Sequence, residues 1–162
     1  MAATVSTLSP VTPGEQRLLD AAYQQALKSL REGGIPIGSA LGLPDGTVLA
    51  VGHNLRVQTG DTTAHAEVSC IRAAGRRRDW HTLVLASTLS PCVMCTGATL
   101  LHRVPRVVVG ENRTFLGAED LFAARGVSLA VAQEARCIAL MERFIAERPE
   151  LWNEDIGVPP AR

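Results

Sequence analysis

The sequence predicts an α/β protein built on one mixed sheet with helices on both faces. Three observations carry that expectation. Apolar residues recur with helical and then strand periods in alternation along the chain. The first two strand-type runs flank a Pro-Asp-Gly turn and so form a β-hairpin. The strands after the hairpin alternate with helices, which requires helices on either side of the sheet. At 162 residues, with no internal repeat, low-complexity tract or linker, the chain suits one domain with a real core.

The elements follow in order. Residues 14–31 place Leu18, Ala22, Ala26, Leu27 and Leu30 at helical spacing, and Glu32-Gly33-Gly34 ends that helix. Residues 37–43 and 47–52 are the hairpin strands around Pro44-Asp45-Gly46, and Asn54 falls on the loop beyond them. The polar stretch Thr59-Gly60-Asp61-Thr62-Thr63 is expected to cap a helix over residues 64–74 with a hydroxyl or carboxylate. His65 and Glu67 then lie in its first turn, and Gly75-Arg76-Arg77-Arg78-Asp79 closes it. Residues 82–86 form a short buried strand. Ser90 is expected as N-cap and Pro91 as first residue of a helix reaching about His102. Cys92 and Cys95, three apart, share a face of it. Strands at 106–110 and 127–131 enclose a short helix, residues 134–148 are helical, and Pro149 opens a last short turn through Trp152. Residues 1–13 are expected to be a disordered tail, 14–157 the domain, and 158–162 a second flexible tail.

Composition narrows the function classes. The hydrophobic fraction of 46% and charged fraction of 20% are ordinary for a soluble globular chain. Sixteen basic and 16 acidic residues cancel, whereas a polynucleotide binder usually carries a basic surplus. A small uncharged substrate is the expectation. No run approaches the ~18 apolar residues of a membrane span. Residues 1–13 hold neither a basic n-region nor a long apolar run, so a cytoplasmic protein is expected. Four cysteines could make two disulfides. The close pair Cys92 and Cys95, with a histidine to partner it, favours metal in a reducing compartment instead.

His65-Ala66-Glu67 and Pro91-Cys92-Val93-Met94-Cys95 carry the chemistry. His65, Cys92 and Cys95 make three zinc ligands. A structural site is normally closed by four, and a catalytic one keeps the fourth position open. Glu67 is then free to move protons. Helix N-termini, with unpaired N–H groups and a positive dipole end, favour thiolates and a metal-bound hydroxide. Zinc lowers the pKa of its bound water to about 7, and Glu67 can pass that water's proton to a ring nitrogen and a departing amine. These parts suit exchange of an amine for oxygen at an amidine-like carbon. A zinc knuckle, or buried cysteines without metal, would explain a lone C-x-x-C. The joint pattern is instead the H-x-E and P-C-x-x-C signature of zinc deaminases. Cys70 and Cys137 read as core, His53 and His102 as satisfied histidines, and Arg76-Arg77-Arg78 as a solvated helix end.

Further stretches carry a resemblance. Gly34-Ile35-Pro36-Ile37-Gly38, Gly52-His53-Asn54, Thr88-Leu89-Ser90, Met94-Cys95-Thr96-Gly97-Ala98, Val109-Gly110-Glu111-Asn112, Phe115, Glu147-Arg148-Pro149, Trp152 and Glu154-Asp155-Ile156-Gly157 are similar to the fungal-type cytosine deaminases, within the cytidine deaminase-like superfamily. The resemblance implies a three-layer α/β/α fold around a five-stranded sheet, a homodimer, one zinc per subunit, and conversion of cytosine to uracil and ammonia in pyrimidine salvage. It implies that Asn54 bonds the base's ring N–H and carbonyl, and that the Ala66 N–H meets the same carbonyl. Asp155 would accept from the exocyclic amine and hold the zinc histidine. Phe115 and Trp152 would close over the base, with the backbone at Ile37 and Ser90 lining the pocket. Ala66 stands where a glycine is expected in that family, the hairpin turn is one residue shorter, and the N-terminal tail is longer. Three rivals stand beside this reading. One is a tRNA adenosine deaminase, which shares H-A-E and P-C-x-x-C and would show a basic groove. Another is a deaminase of isocytosine, guanine or cytidine. The third is a zinc-stabilised interaction module, which would have no need of Glu67.

Overall fold

A computed structural model of the protein describes residues 9–161. Five strands, β1 (Gly38–Gly42), β2 (Val48–His53), β3 (Val84–Leu89), β4 (Arg106–Glu111) and β5 (Ser128–Val131), form one sheet in the order β2-β1-β3-β4-β5. β1 runs antiparallel to β2 and β3, while β3, β4 and β5 are parallel. The mixed five-stranded sheet is as expected. Around it lie α1 (Pro13–Arg31), α2 (Arg56–Thr59), α3 (Ala66–Ala74), α4 (Val93–Leu101), α5 (Glu119–Ala124), α6 (Ala135–Glu147) and α7 (Pro149–Asp155).

Strand alternation builds two cores back to back. Val84, Ala86 and Val108 face α1 and meet Leu18, Leu19 and Ala22. Leu85, Val107 and Val109 face the other way and meet Cys70 of α3 and Phe122 of α5. A third cluster joins Ile35, Ile37, Ala66 and Leu89 to Met141, Phe144 and Trp152, which docks α6 and α7 beside the start of α3. The carboxyl end of β3 leads directly into the start of α4, and the end of β2 leads through α2 to the start of α3. Ligands of open α/β sheets are bound at such carboxyl ends. Gly52 lets α3 settle onto β2: a Cβ there would come within 2.6 Å of Ala66 O.

Several local expectations are corrected. α3 starts at Ala66, with His65 as its N-cap and no side-chain cap; Asp61 Oδ1 instead accepts from Thr63 N (2.8 Å) and Thr63 Oγ1 (2.7 Å). α4 starts at Val93 with Cys92 as N-cap, so neither Ser90 nor Pro91 takes its expected place. The Ser90 hydroxyl leaves the helix altogether, donating to Glu119 Oε1 (2.7 Å) and accepting from Gly117 N (3.0 Å). α7 runs three residues beyond Trp152, to Asp155. The expected tail is tied down from Ser9 onward: Ser9 N donates to Leu129 O (3.3 Å), Arg106 reaches Pro10 O (3.2 Å), and Thr12 and Glu15 form a capping box for α1. Residues 1–8 of that tail lie outside the described residues. Among the described residues no helix is long and apolar enough to cross a membrane.

Candidate active site

His65 and Cys92 are the N-caps of α3 and α4, and Cys95 is the third residue of α4. Two chain segments thus turn into helices at one point, and the side chain of each cap faces the other helix. Cys92 Sγ lies 3.5 Å from His65 Nδ1, and one donor atom from each of His65, Cys92 and Cys95 falls within 4.8 Å of the others. Zinc bonds of about 2.0–2.3 Å in a tetrahedral site imply donor separations of about 3.5–3.8 Å, so the cluster fits that ion. Among the described residues no carboxylate joins this group. His65 Nε2 lies 3.1 Å from Asp155 Oδ1, a charge-pair distance without hydrogen-bond geometry, so this buried oxygen has no hydrogen-bond partner among the described residues, and His65 Nδ1 faces Cys92 Sγ.

The electrostatics describe a donor set that shares protons. With Cys95 and then His65 beside it, the Cys92 thiol falls to about 4. Cys95 is pushed up, first by Cys92 and then by burial. Burial opposes the charge on His65, but its contacts with Asp155 and Cys92 prevail and raise it to about 10. A divalent cation held by His65, Cys92 and Cys95 would displace these protons. Glu67, buried, is raised mainly by desolvation and then by the Cys92 charge, partly offset by its bond from Ser87 Oγ to Oε1 at 2.8 Å.

Above the cluster opens a cavity of about 580 Å³. Ile37, Asn54, His65, Ala66, Glu67, Ser90, Cys92, Phe115, Trp152 and Asp155 all line it, so every residue singled out from the sequence is brought together there except Cys95, which lies fully buried beneath the wall. Asn54 is anchored on all sides but one. Its N–H donates to Ile37 O (3.0 Å), and its carbonyl accepts from Ser29 Oγ (2.7 Å) and Gln58 Nε2 (3.1 Å). Its Oδ1 accepts from Arg56 N (3.0 Å), which fixes the amide orientation. The remaining group, Nδ2, is buried with no partner among the described residues, on a residue that lines the cavity. A buried donor of this kind is available to an acceptor placed in the cavity. Phe115 meets Trp152 edge to face, ring centroids 5.7 Å apart.

Some contributors are invisible in the sequence. Ser87 sits in β3 like any core residue, and only the structure shows it holding Glu67. Arg56 brings its guanidinium to 3.8 Å from Asp155 and 3.9 Å from Glu154. Leu116 and Val93, exposed apolar residues, stand on the cavity wall. The remaining cysteines and histidines are as expected: Cys70 and Cys137 are buried, His53 is bonded to Glu32 and Gln25, and His102 bonds Ala98 O at 2.8 Å.

Residues 13–111 match the family described as the cytidine and deoxycytidylate deaminase zinc-binding region. The chain belongs to that family. It is a zinc-dependent hydrolytic deaminase, and the deaminase reading of its two motifs is borne out. A cytosine deaminase of Candida albicans is 46% identical over 149 residues, 91% of this chain and 99% of that one. A tRNA-specific adenosine deaminase of Streptococcus pyogenes is 39% identical over 105 residues, covering 62% of this deaminase and 65% of the relative. Among solved structures, guanine deaminase from Nitrosomonas europaea superposes with a TM-score of 0.67 at 21% identity, over 85% of this chain and 86% of that one, a likeness of fold.

Proposed function

We propose that this deaminase hydrolyses the exocyclic amine of free cytosine, giving uracil and ammonia. The observation that carries the reading is the way α7 closes the cavity, setting Trp152 and Asp155 into its wall beside the base-recognition groups. A wall there favours a free base over a nucleotide held in a polymer, and the zero net charge agrees. The match to a fungal cytosine deaminase, over 91% of this chain and 99% of that one, supports the same choice.

The residues divide the work as follows. His65, Cys92 and Cys95 would hold zinc, which supplies Lewis acidity and a nucleophilic water near neutral pH. Asn54 Nδ2 donates to the base carbonyl. Ala66, the first residue of α3, has an N–H with no acceptor within its helix and adds a second donor. Phe115 and Trp152 close over the planar ring. Glu67 takes one proton from the attacking water and gives it to the ring nitrogen, then takes the second from the oxygen now bonded to carbon and gives it to the amine, which leaves as ammonia. Asp155, with Oδ1 3.1 Å from His65 Nε2 and otherwise without a partner, faces that histidine and accepts from the amine. The Ser90 hydroxyl is committed to Glu119 and Gly117, so its backbone is what meets the base.

We read the enzyme as a cytoplasmic homodimer serving pyrimidine salvage. Light scattering reads the oligomeric state directly. Ammonia release from cytosine, cytidine, guanine and an adenosine-containing tRNA loop tests the substrate. Cytosine is expected to be turned over best; turnover of the RNA alone overturns the assignment.

Two variants test the division of labour. Asn54→Ala is expected to raise KM for cytosine about tenfold, because a buried hydrogen bond that leaves its partner unpaired costs about 1–3 kcal/mol. Wild-type cytosine kinetics in that variant refute the pose. Asp155→Ala removes the group orienting a ligand histidine, and such losses cost about 10–100-fold in metal affinity or activity. Titration with a zinc chelator, run beside the turnover assay, reads both.

A further inference from the structure

Glu111 is a fully buried carboxylate that the chemistry above does not use. It ends β4, pairs with no cation among the described residues, and is not part of the metal-binding cluster. A buried charge without a counterion is costly unless several donors satisfy it. Here Arg113 N (2.7 Å) and Thr114 N (2.9 Å) both donate to Oε2, and the Thr114 hydroxyl donates to Oε1. All three donors belong to the two residues that precede Phe115.

The backbone of Glu111 is equally committed. Its carbonyl accepts from Ser90 N (2.9 Å), and it lies in parallel register with Leu89. The far side of the loop is held by Gly117 N on Ser90 Oγ (3.0 Å) and Ala118 N on Pro91 O (3.0 Å). Phe115 and Leu116 therefore project from a short loop clamped at both ends against the segment that leads into α4. The near clamp is the Glu111 carboxylate.

We propose that Glu111 is a positioning residue for base recognition: its carboxylate folds residues 112–114 into the turn that delivers Phe115 to the cavity, against Trp152. This rests on the reading that Phe115 closes over the base. A loop fixed in this way needs no ordering when substrate arrives, so the device acts on binding and leaves the proton chemistry at Glu67 alone.

Glu111→Gln keeps the shape but replaces one acceptor oxygen with an N–H₂ that faces donors. KM for cytosine is expected to rise about tenfold, with kcat within about twofold and zinc content unchanged. Amide exchange at Arg113 and Thr114 is expected to accelerate in the same variant. Thr114→Val, which removes one donor from the loop side, should shift KM the same way by less, and serves if Glu111→Gln does not fold. Phe115→Ala should raise KM at least as much, and adding Glu111→Gln to it should change KM little further, because both act through one contact. A wild-type KM in Glu111→Gln with Phe115→Ala impaired, or fully additive effects, overturns the proposal alone. A wild-type KM in Phe115→Ala overturns the stacking reading and the proposal with it.

Discussion

Glu67→Gln is expected to turn over cytosine about a thousandfold more slowly than the wild-type enzyme while keeping its zinc. General acid–base catalysis contributes roughly 10²–10⁴-fold, and here one side chain serves several proton transfers, which places the loss at or above the middle of that range. Glutamine preserves the volume and can still accept from Ser87 Oγ, whose bond to Glu67 Oε1 is 2.8 Å, so the site keeps its shape. What it cannot do is carry a proton. No carboxylate among the described residues joins the three metal donors, and metal content should therefore not follow activity. Ammonia release and elemental analysis on the same preparation read the two quantities. A variant with half the wild-type rate would mean that Glu67 is only a buried core acid.

The metal donors were legible because their requirement is local: two short motifs at helix starts, each with a residue type that zinc prefers. How those starts are built was not legible. Ser90 before Pro91 satisfies every local rule for an N-cap, yet Cys92 takes the position because its thiol must leave its own helix to meet His65. Asp61 and the threonines near it could have capped α3, and His65 holds that place for the same tertiary reason. Hydrophobic periodicity located the strands but says nothing of which strand lies beside which, so the placing of β1 between β2 and β3 came only from the structure. Only the resemblance singles out Asn54. That its Nδ2 is the free group depends on Arg56 N, a backbone donor that has no signature in sequence. Ser87 and Glu111 act on Glu67 and Phe115 across distances of 20 and four residues, and in a strand each reads as one more buried position.

Chelation is expected to abolish turnover, by a factor of about a thousand or more, and zinc to restore it. The physical ground is the donor set. Three groups converge within 4.8 Å at the starts of two helices, a donor set suited to one divalent cation. The attacking water loses its acidity with the ion, and Glu67 has no comparably acidic proton to take. The fold should survive, because the clusters between the sheet and α1, and between the sheet and α3 with α5, do not depend on metal. Stability should still fall. Zinc present at a hundredfold its dissociation constant contributes about 2.7 kcal/mol, worth about 5–10 °C of Tm in a chain of this size. Cys95→Ala should reproduce both effects without chelator, since Cys95 is fully buried below the cavity and is otherwise only core. A chelated sample that keeps its cytosine turnover, or a Cys95→Ala protein with full zinc content, would remove the basis for assigning these three residues to the metal.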